Sequence, residues 1–561
     1  MTVKGRRVSV AVPLLGQLRR SSWRGVRGDL VAGFAVAVTL VPQALGYGQV
    51  AGLHPVVGLY TTVAATAVFA LLTSTRLVAV GPSSTTAIMS YTAVSGRAHG
   101  DAHQAVALTA CLALLTGVLL LLPGRLRGLA TFMSGPVVLG YLAGTAVQVM
   151  AGQVPPLLGV HVSSNRSMVK LWQVLTHLDT VHVVTAVVGV GSLVLLIVLK
   201  KTLRAVPVLR AAPTPVVCVA AIVVSGVADL AGHGVALIGG VSGGLPVPAW
   251  PDVSAGDVWE LLPTAAGIAM VASIEGVAVL RRTGPVEEQV SLVRESVAIG
   301  AASAASGFLG GFAPMPSTQR TLSARSSGAH SQLYQLACAG SVVVALLTTG
   351  PVIALLPKAA LAALVIVSAS RLIDVAGFKE LWWGWHTEAL LALAAMVAVV
   401  ALGVLHGLLV AVILALLQLL RRVAWPHDAV LTVTDDGAPR EAAPDESADP
   451  DVLIYRVDAP LFFANANRVH QRILTLAAAR SPYPRYLVLD TEAVFHVDAT
   501  AAEVLARLTA DLREHHCELV LACPRETVTA TLRANPYEDG ATRQLRAFPT
   551  VGEAYAALRA R

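Results

Sequence analysis

Three stretches of this chain put polar groups where they are expensive to keep. The first, VPQALGYGQVAGLHPVVGLY from Val41 to Tyr60, is apolar except that it is broken at Pro42 and holds Gln43, Tyr47 and Gln49. An unpaired backbone or amide group costs several kcal/mol in hydrocarbon, so such a segment persists only where it lines a protein-walled cavity. In the second, LVAVGPSSTTAIMSY from Leu77 to Tyr91, an extended apolar piece meets Gly81-Pro82 and turns helical. Pro82 at the first helical position and Ser83 or Ser84 near the cap are a helix-start signal, set here well inside an apolar run. The third, GFLGGFAPMPSTQRTLSARSSGAH from Gly307 to His330, repeats the pattern: glycines, Pro314 and Pro316, then Ser317, Thr318, Gln319 and Arg320. A helix begun inside a membrane presents unpaired N–H groups and roughly half a positive charge at its start. Two such starts, with the hydroxyls of Ser83, Ser84, Ser317 and Thr318 and the Arg320 guanidinium beside them, suit an oxyanion and need no dense basic cluster. The alternative is a pair of helix breaks packed on glycine-rich neighbours, with Arg320 reaching an interface. An intramembrane arginine costs about 2.5–3.5 kcal/mol on insertion scales, which argues for a partner or a cavity.

Glu275, in GIAMVASIEGVAVL, adds a carboxylate to an apolar run. Ionised, it is costly there, so it is expected to be protonated, paired with Arg320 or bound to a cation. Its two readings are ion coupling and a structural pair. Glu295, in SLVRESVAIG, is expected to cap the next span. No nucleophile-base constellation, phosphate loop or paired-ligand metal site is present in the sequence, so an enzyme is not expected, nor a cofactor or a metal. HHCELVLAC around Cys517 lacks paired ligand spacing and reads as a buried strand; the five scattered cysteines make no disulfide framework.

The elements that must hold these residues follow from composition. Hydrophobic residues make up 55% of the 561 and charged residues 13%, against roughly a quarter charged in soluble proteins. Apolar runs of about 17–25 residues recur between Asp29 and Leu420, about fourteen in all, some too short or too rich in Gly and Pro to be simple helices. This is a polytopic α-helical membrane protein. The net charge of +7 sits beside the spans, as positive-inside bias requires, and does not indicate nucleic acid. The basic start, with Lys4, Arg6, Arg7, Arg19, Arg20, Arg24 and Arg27, precedes a span with function-like polar residues and is not read as a cleavable signal. Arg76; Arg125 and Arg127; Lys200, Lys201, Arg204 and Arg210; Arg281 and Arg282; Arg371 and Lys379; and Arg421 and Arg422 all follow even-numbered spans, which puts both termini in the cytoplasm. The stretch from Ala211 to Leu280 has no Lys or Arg and is placed outside; Arg166 and Lys170 are mild exceptions to the rule. The aromatic run LWWGWH, Leu381 to His386, reads as an interfacial anchor on the cytoplasmic side, and the scattered histidines as interfacial or surface groups.

Two interrupted segments at corresponding places in two halves indicate an inverted repeat with a site between them. These motifs closely resemble the signature of the sulfate permease (SulP) family of anion transporters. That resemblance implies a seven-plus-seven inverted repeat in which substrate lies between the half-helices of the third and tenth spans, beside the broken first span. It carries over as Gln43 and Tyr47 in the first span, Ser83 and Ser84 in the third, and Ser317, Thr318, Gln319 and Arg320 in the tenth. Gln319 departs from the family, which usually has Ser or Thr before the arginine; a longer side chain here is expected to narrow the pocket or alter anion choice. The family's eighth-span acid, here Glu275, is associated with ion or proton coupling.

After Trp425 the composition changes. An acidic linker, DDGAPREAAPDESADPD, leads into a segment where LIYRV and YLVLD read as buried strands and NRVHQRILTLAAAR and ATAAEVLARLTADLREH as amphipathic helices, an α/β domain. APLFFANANRVHQRI, VFHVDATAAEVL and LVLACP resemble a STAS domain, the module that sulfate permeases share with anti-sigma-factor antagonists. The resemblance places Thr500 at or beside a phosphorylatable hydroxyl, a candidate regulatory phosphosite; the plainer reading is that Thr500 is a helix N-cap. The expected organisation is a basic cytoplasmic segment (1–27), a transmembrane transport domain (28–425), a linker (426–451) and a cytoplasmic STAS domain (452–561).

The function expected is secondary active transport of an inorganic or small organic anion by alternating access in the plasma membrane. Sulfate leads, then bicarbonate or a dicarboxylate, coupled to H+ or Na+, in a homodimer with a regulatory protein as a candidate partner of the STAS domain. The alternatives are an anion-sensing receptor that signals through STAS and a nucleobase permease of the same architecture, against which the STAS segment and Arg320 both argue.

Overall fold

The computed structural model describes residues 22–98, 101–122, 134–162, 164, 166–203, 213–240, 244, 247–283, 291–434, 437–442, 449–534 and 545–560, with Leu14 and Gln17. Lys4, Arg6, Arg7, Arg19, Arg20, Arg125, Arg127, Arg204 and Arg210, and the middle of the acidic linker, lie outside the described residues. The chain divides into two compact units, Met1–Ala415 and Leu416–Arg561.

The first unit is helical. It contains α1 (Trp23–Val50), α2 (Val56–Leu72), β1 (Val80–Gly81), α3 (Ser84–Val94), α4 (Ala102–Leu121), α5 (Gly135–Leu158), α6 (Ser167–Thr176), α7 (Val183–Thr202), α8 (Pro213–Val227), α9 (Ala255–Thr283), α10 (Leu292–Phe308), β2 (Met315–Pro316), α11 (Thr318–Ser326), α12 (Leu333–Thr348), α13 (Gly350–Ala354), α14 (Lys358–Ala369), α15 (Val375–Gly384) and α16 (His386–Leu402), and it shares α17 (Val404–Ala424) with the second. Among the described residues seven helices are long and apolar enough to cross a membrane, and four shorter ones are similarly apolar. Leu30, Val31 and Phe34 of α1 and Val187, Val194 and Ile197 of α7 are exposed on the outside of the unit, as lipid-facing side chains must be.

Small residues let the helices close on one another. A Cβ at Gly33 of α1 would collide with the Tyr334 carbonyl and Ala337 of α12, and one at Gly300 of α10 would fall 2.9 Å from the Gly117 carbonyl of α4. The helix pairs have a symmetric look: α1 packs on α12 as α9 packs on α4, and α2 on α12 as α10 on α4.

The first span is not broken. Helix α1 continues through Pro42, with Gln43, Tyr47 and Gln49 on it. Proline removes one intrahelical hydrogen bond, and neighbouring helices can hold such a helix straight enough to continue. Nor do the later prolines occupy first helical positions: Pro82 and Pro316 precede the caps Ser83 and Ser317. Glu295 is no cap either. Ser291 caps α10, and the buried Glu295 carboxylate accepts bonds from Thr73 Oγ1 (2.9 and 2.7 Å), Ser74 N (2.9 Å) and Ser74 Oγ (2.8 Å). It ties the end of α2 to the first turn of α10.

The second unit is α/β: β3 (Asp428–Val433), β4 (Pro439–Glu441), β5 (Val452–Val457), α18 (Ala466–Ala478), β6 (Tyr486–Asp490), α19 (Ala499–Glu514), β7 (Glu518–Ala522), α20 (Glu526–Ala534), β8 (Arg546–Phe548) and α21 (Val551–Arg559). The sheet order is β4-β3-β5-β6-β7-β8, parallel from β5 to β8. Residues read as linker therefore belong in part to the sheet, since β3 pairs antiparallel with both β4 and β5. Side chains alternate across the strands. Leu453, Leu487, Leu489, Leu519 and Leu521 meet α18, α19 and α20 on one face, and Ile454, Val488 and Val520 meet α21 on the other.

Candidate functional site

The two interrupted segments meet. Strands β1 and β2 pair antiparallel, Val80 opposite Pro316 and Gly81 opposite Met315, so α3 and α11 leave one short ribbon in opposite directions with both N-termini beside it. Each start is closed by a neutral hydroxyl. Ser83 Oγ accepts from Thr85 N (3.3 Å), and Ser317 Oγ accepts from Arg320 N (3.4 Å). One side-chain oxygen satisfies one amide of a helix start. Among the described residues the amides of Ser84 and Thr86 on α3 and of Thr318 and Gln319 on α11 have no hydrogen-bond acceptor.

Arg320 does not hang free at this site. Its Nη1 donates to the Pro82 carbonyl (2.7 Å), and its Nη2 donates to the carbonyls of Gly81 (3.2 Å) and Met315 (3.1 Å), while Nε is buried without a partner. The guanidinium thus joins both segments and masks three carbonyl oxygens that would repel an anion, and its charge stays beside both helix starts.

Helices α1 and α9 both pack against α3 and α11. Tyr47, buried on α1, lies within electrostatic reach of Arg320 and beside Ser368. Gln43 is half-buried one turn earlier, with no hydrogen bond to another described group. Glu275 on α9 also lies within electrostatic reach of Arg320, and its neighbour Gly276 backs onto Pro316 of β2. Among the described residues no ion pair joins Glu275 to Arg320, so of the two sequence readings the structural pair with Arg320 is not formed; the carboxyl makes no hydrogen bond and keeps some exposed surface. Ser84 is buried, Ser83, Ser317 and Thr318 are half-buried, and Gln319 is exposed.

Sequence reasoning missed the residues that hold the ribbon. Gln332 and Gln335 of the α12 start both donate to the Val78 carbonyl (3.0 Å each), Gln335 Oε1 accepts from Val80 N (3.2 Å), and Tyr334 OH donates to the Leu77 carbonyl (2.9 Å). Asp29, wholly buried, accepts from His330 N (2.6 Å), Ser331 N (3.0 Å) and the Ser331 hydroxyl. The only signal for them was polarity inside an apolar stretch.

The model of the sulfate permease family matches residues 26–396, and that of the STAS domain matches 443–554. The chain belongs to the sulfate permease family. A protein named as a probable sulfate transporter of Mycobacterium tuberculosis is 37% identical over 555 residues, covering 97% of this chain and 98% of its own. A chloroplastic sulfate transporter of Arabidopsis thaliana is 27% identical, covering 90% of this chain and 76% of its own. Among solved structures, a murine Solute Carrier 26 family member A9 anion transporter in an inward-facing state superposes with a TM-score of 0.87 at 19% identity, covering 100% of this chain and 97% of the other. The transmembrane domain of a cyanobacterial bicarbonate transporter superposes with a TM-score of 0.59 at 23% identity, covering 70% of this chain and 98% of the other. This sulfate permease family member is therefore a polytopic membrane transporter with a STAS domain. A permease moves its substrate unaltered, so it is not an enzyme.

In the STAS domain the cap of α19 is Asp498, not Thr500: Asp498 Oδ1 accepts from Ala501 N (2.8 Å), and Thr500 stands exposed in the first turn. Among the described residues no group of His, Cys, Asp and Glu is arranged to hold a metal. Cys517 is buried at the edge of β7.

Proposed function

We propose that this protein carries an oxyanion, with sulfate as the leading substrate, between the two helix starts, through the hydroxyls of Ser83, Ser84, Ser317 and Thr318 and the free amides of Ser84, Thr86, Thr318 and Gln319. Gln43 and Tyr47 wall the site from α1, and Gln319 lies at its mouth. The observation that carries this reading is the β1–β2 ribbon, which brings two hydroxyl-capped N-termini together while Arg320 masks the carbonyls between them. A net hydrogen bond to a charged group contributes about 1.5–3 kcal/mol. Three or four such bonds match the roughly 8 kcal/mol of a micromolar complex without a charged side chain against the anion. The names of the relatives support sulfate over bicarbonate or a dicarboxylate, and family membership favours an anion over a nucleobase.

In this reading the membrane domain (28–425) has fourteen spans in a seven-plus-seven inverted repeat, α3 and α11 being half-helices that begin near the midplane. The paired packing of α1 with α12 and of α9 with α4 supports that symmetry. Both termini and the STAS domain (from 452, with the β3–β4 hairpin added) face the cytoplasm of a plasma-membrane homodimer. Glu275 takes the coupling H+ or Na+, for which its lack of a hydrogen-bond partner leaves it available. Thr500, exposed beside the α19 start, is the phosphorylation candidate through which a regulatory protein would act.

Uptake of radiolabelled sulfate into proteoliposomes, with proton or sodium gradients imposed and bicarbonate, fumarate and chloride as competitors, tests the reading. Sulfate uptake competed most strongly by sulfate is expected. Flux of none of these anions would reject transport and leave the anion-sensing receptor.

A further inference from the structure

The α3 start is built on a segment that cannot support itself. Residues 78–80 run non-helical and buried inside the protein, where each unpaired backbone group is costly. In the second segment Ser306 Oγ donates to the Phe312 carbonyl (2.7 Å), and the distant side chain of Thr61 accepts from Phe312 N (3.1 Å). The first depends on side chains more than two hundred residues away. Ala79 N donates to Thr321 Oγ1 (3.0 Å), that hydroxyl donates to the Ser317 carbonyl (2.7 Å), and Ser317 N donates back to the Ala79 carbonyl (2.9 Å). These three bonds form a closed ring through the cap residue of α11, and Gln335 extends it by pairing with Val78 and Val80 as a further strand would. Thr321 is 1% exposed and Gln335 2%, so neither touches bulk solvent.

We infer that Thr321 and Gln335 are positioning residues that set anion affinity: they fix the backbone leading into Ser83 and couple it to Ser317, so that the two helix starts keep one spacing. This rests on the anion-site reading above. Neither residue contacts the anion. Their hydrogen bonds hold a geometry, and a site whose donors must stay fixed to within about half an ångström loses affinity when its support is removed.

The test uses the full chain. Thr321→Val keeps the shape of the side chain and removes the hydroxyl, Thr321→Ser keeps the hydroxyl, and Gln335→Met keeps length without polar atoms. With radiolabelled sulfate as probe, Thr321→Val and Gln335→Met should raise the half-saturating concentration about tenfold, the size of one lost buried hydrogen bond, with the maximal rate within about twofold. Thr321→Ser should behave as the parent. Amide exchange of the peptide spanning 77–84 should rise in Thr321→Val and Gln335→Met but not in Thr321→Ser. Unchanged half-saturation in Thr321→Val, or an equal rise in Thr321→Ser, overturns the inference, as does faster exchange without a change in half-saturation. If the parent moves no sulfate, the transport reading fails on its own, and parent-like exchange in Thr321→Val still overturns the positioning role. A variant that does not reach the membrane is judged by the other one.

Discussion

Helices α3 and α11 of the membrane unit and helix α19 of the STAS domain solve one electrostatic problem at their starts in opposite ways. Helix α19 begins at a carboxylate: Asp498 accepts Ala501 N through one oxygen and Phe463 N (2.9 Å) through the other. The positive end of that helix is neutralised within the domain. Helices α3 and α11 begin at serines, which satisfy one amide each and add no charge. Among the described residues the amides of Ser84, Thr86, Thr318 and Gln319 at these starts keep no acceptor, and the proposed anion site is built on them. Hydroxyl caps also close α1, α10 and α21, so what sets α3 and α11 apart is a neutral cap together with the β1–β2 ribbon that brings the two starts side by side.

The most severe way to break the contrast is to give α11 the carboxylate cap of α19. Ser317→Asp should still cap α11, but its charge would stand at the proposed anion site; two like charges about 4 Å apart repel by about 4 kcal/mol at an effective dielectric constant of 20. Sulfate uptake should fall more than a hundredfold, and Ser317→Asn, a neutral cap of similar size, should keep most of it at equal surface expression. Comparable uptake by the two variants would show that cap charge does not matter.

A second change concerns Glu275, a carboxyl on α9 that makes no hydrogen bond to a described residue. Glu275→Gln should bring accumulation in proteoliposomes towards the level set without a gradient while sulfate binding persists in a thermal-shift titration. Accumulation that still follows the imposed gradient would remove Glu275 from coupling.

On the STAS side the effects should be smaller and confined to stability. Asp498→Ala removes a cap worth about 0.5–2 kcal/mol. The unfolding transition of the C-terminal unit should move down by that amount, Asp498→Ser should recover part of it, and half-saturation for sulfate should not change. The least effect is expected at Asp490, buried at the end of β6 with Oδ2 lacking a hydrogen bond and Arg456 Nε 4.0 Å away. Burial pushes its carboxyl above the ordinary aspartate value. The native state therefore holds the proton more tightly than the unfolded chain, and stability is lost as pH rises through the folded value. Asp490→Asn should unfold slightly later than the parent near neutral pH, and the gap should close below about pH 4, where aspartate is protonated in the unfolded chain as well. A gap that widens on acidification would reverse the assigned sign.

What could be read from the chain alone was whatever depends on neighbours in sequence. Long apolar runs, a helix-start signal inside one of them, its repeat around Pro314 to Arg320, and the alternation of LIYRV and YLVLD with amphipathic helices all mark local conformation, which short-range sterics and burial periodicity control. Pro42 shows the margin of that reading, because a proline predicts a break and packing kept α1 continuous. The partners of the polar groups were decided only by the tertiary structure. Arg320 bonds Gly81 and Pro82, Gln335 bonds Val78 and Val80, Asp29 bonds the 330–331 turn, and Glu295 bonds Thr73 and Ser74. Each of these contacts spans more than two hundred residues, and no local pattern encodes which distant backbone will lack a partner. In a membrane interior every such group must find one, so the fold allots the available side chains, and the few amides it leaves over at the starts of α3 and α11 make the candidate site.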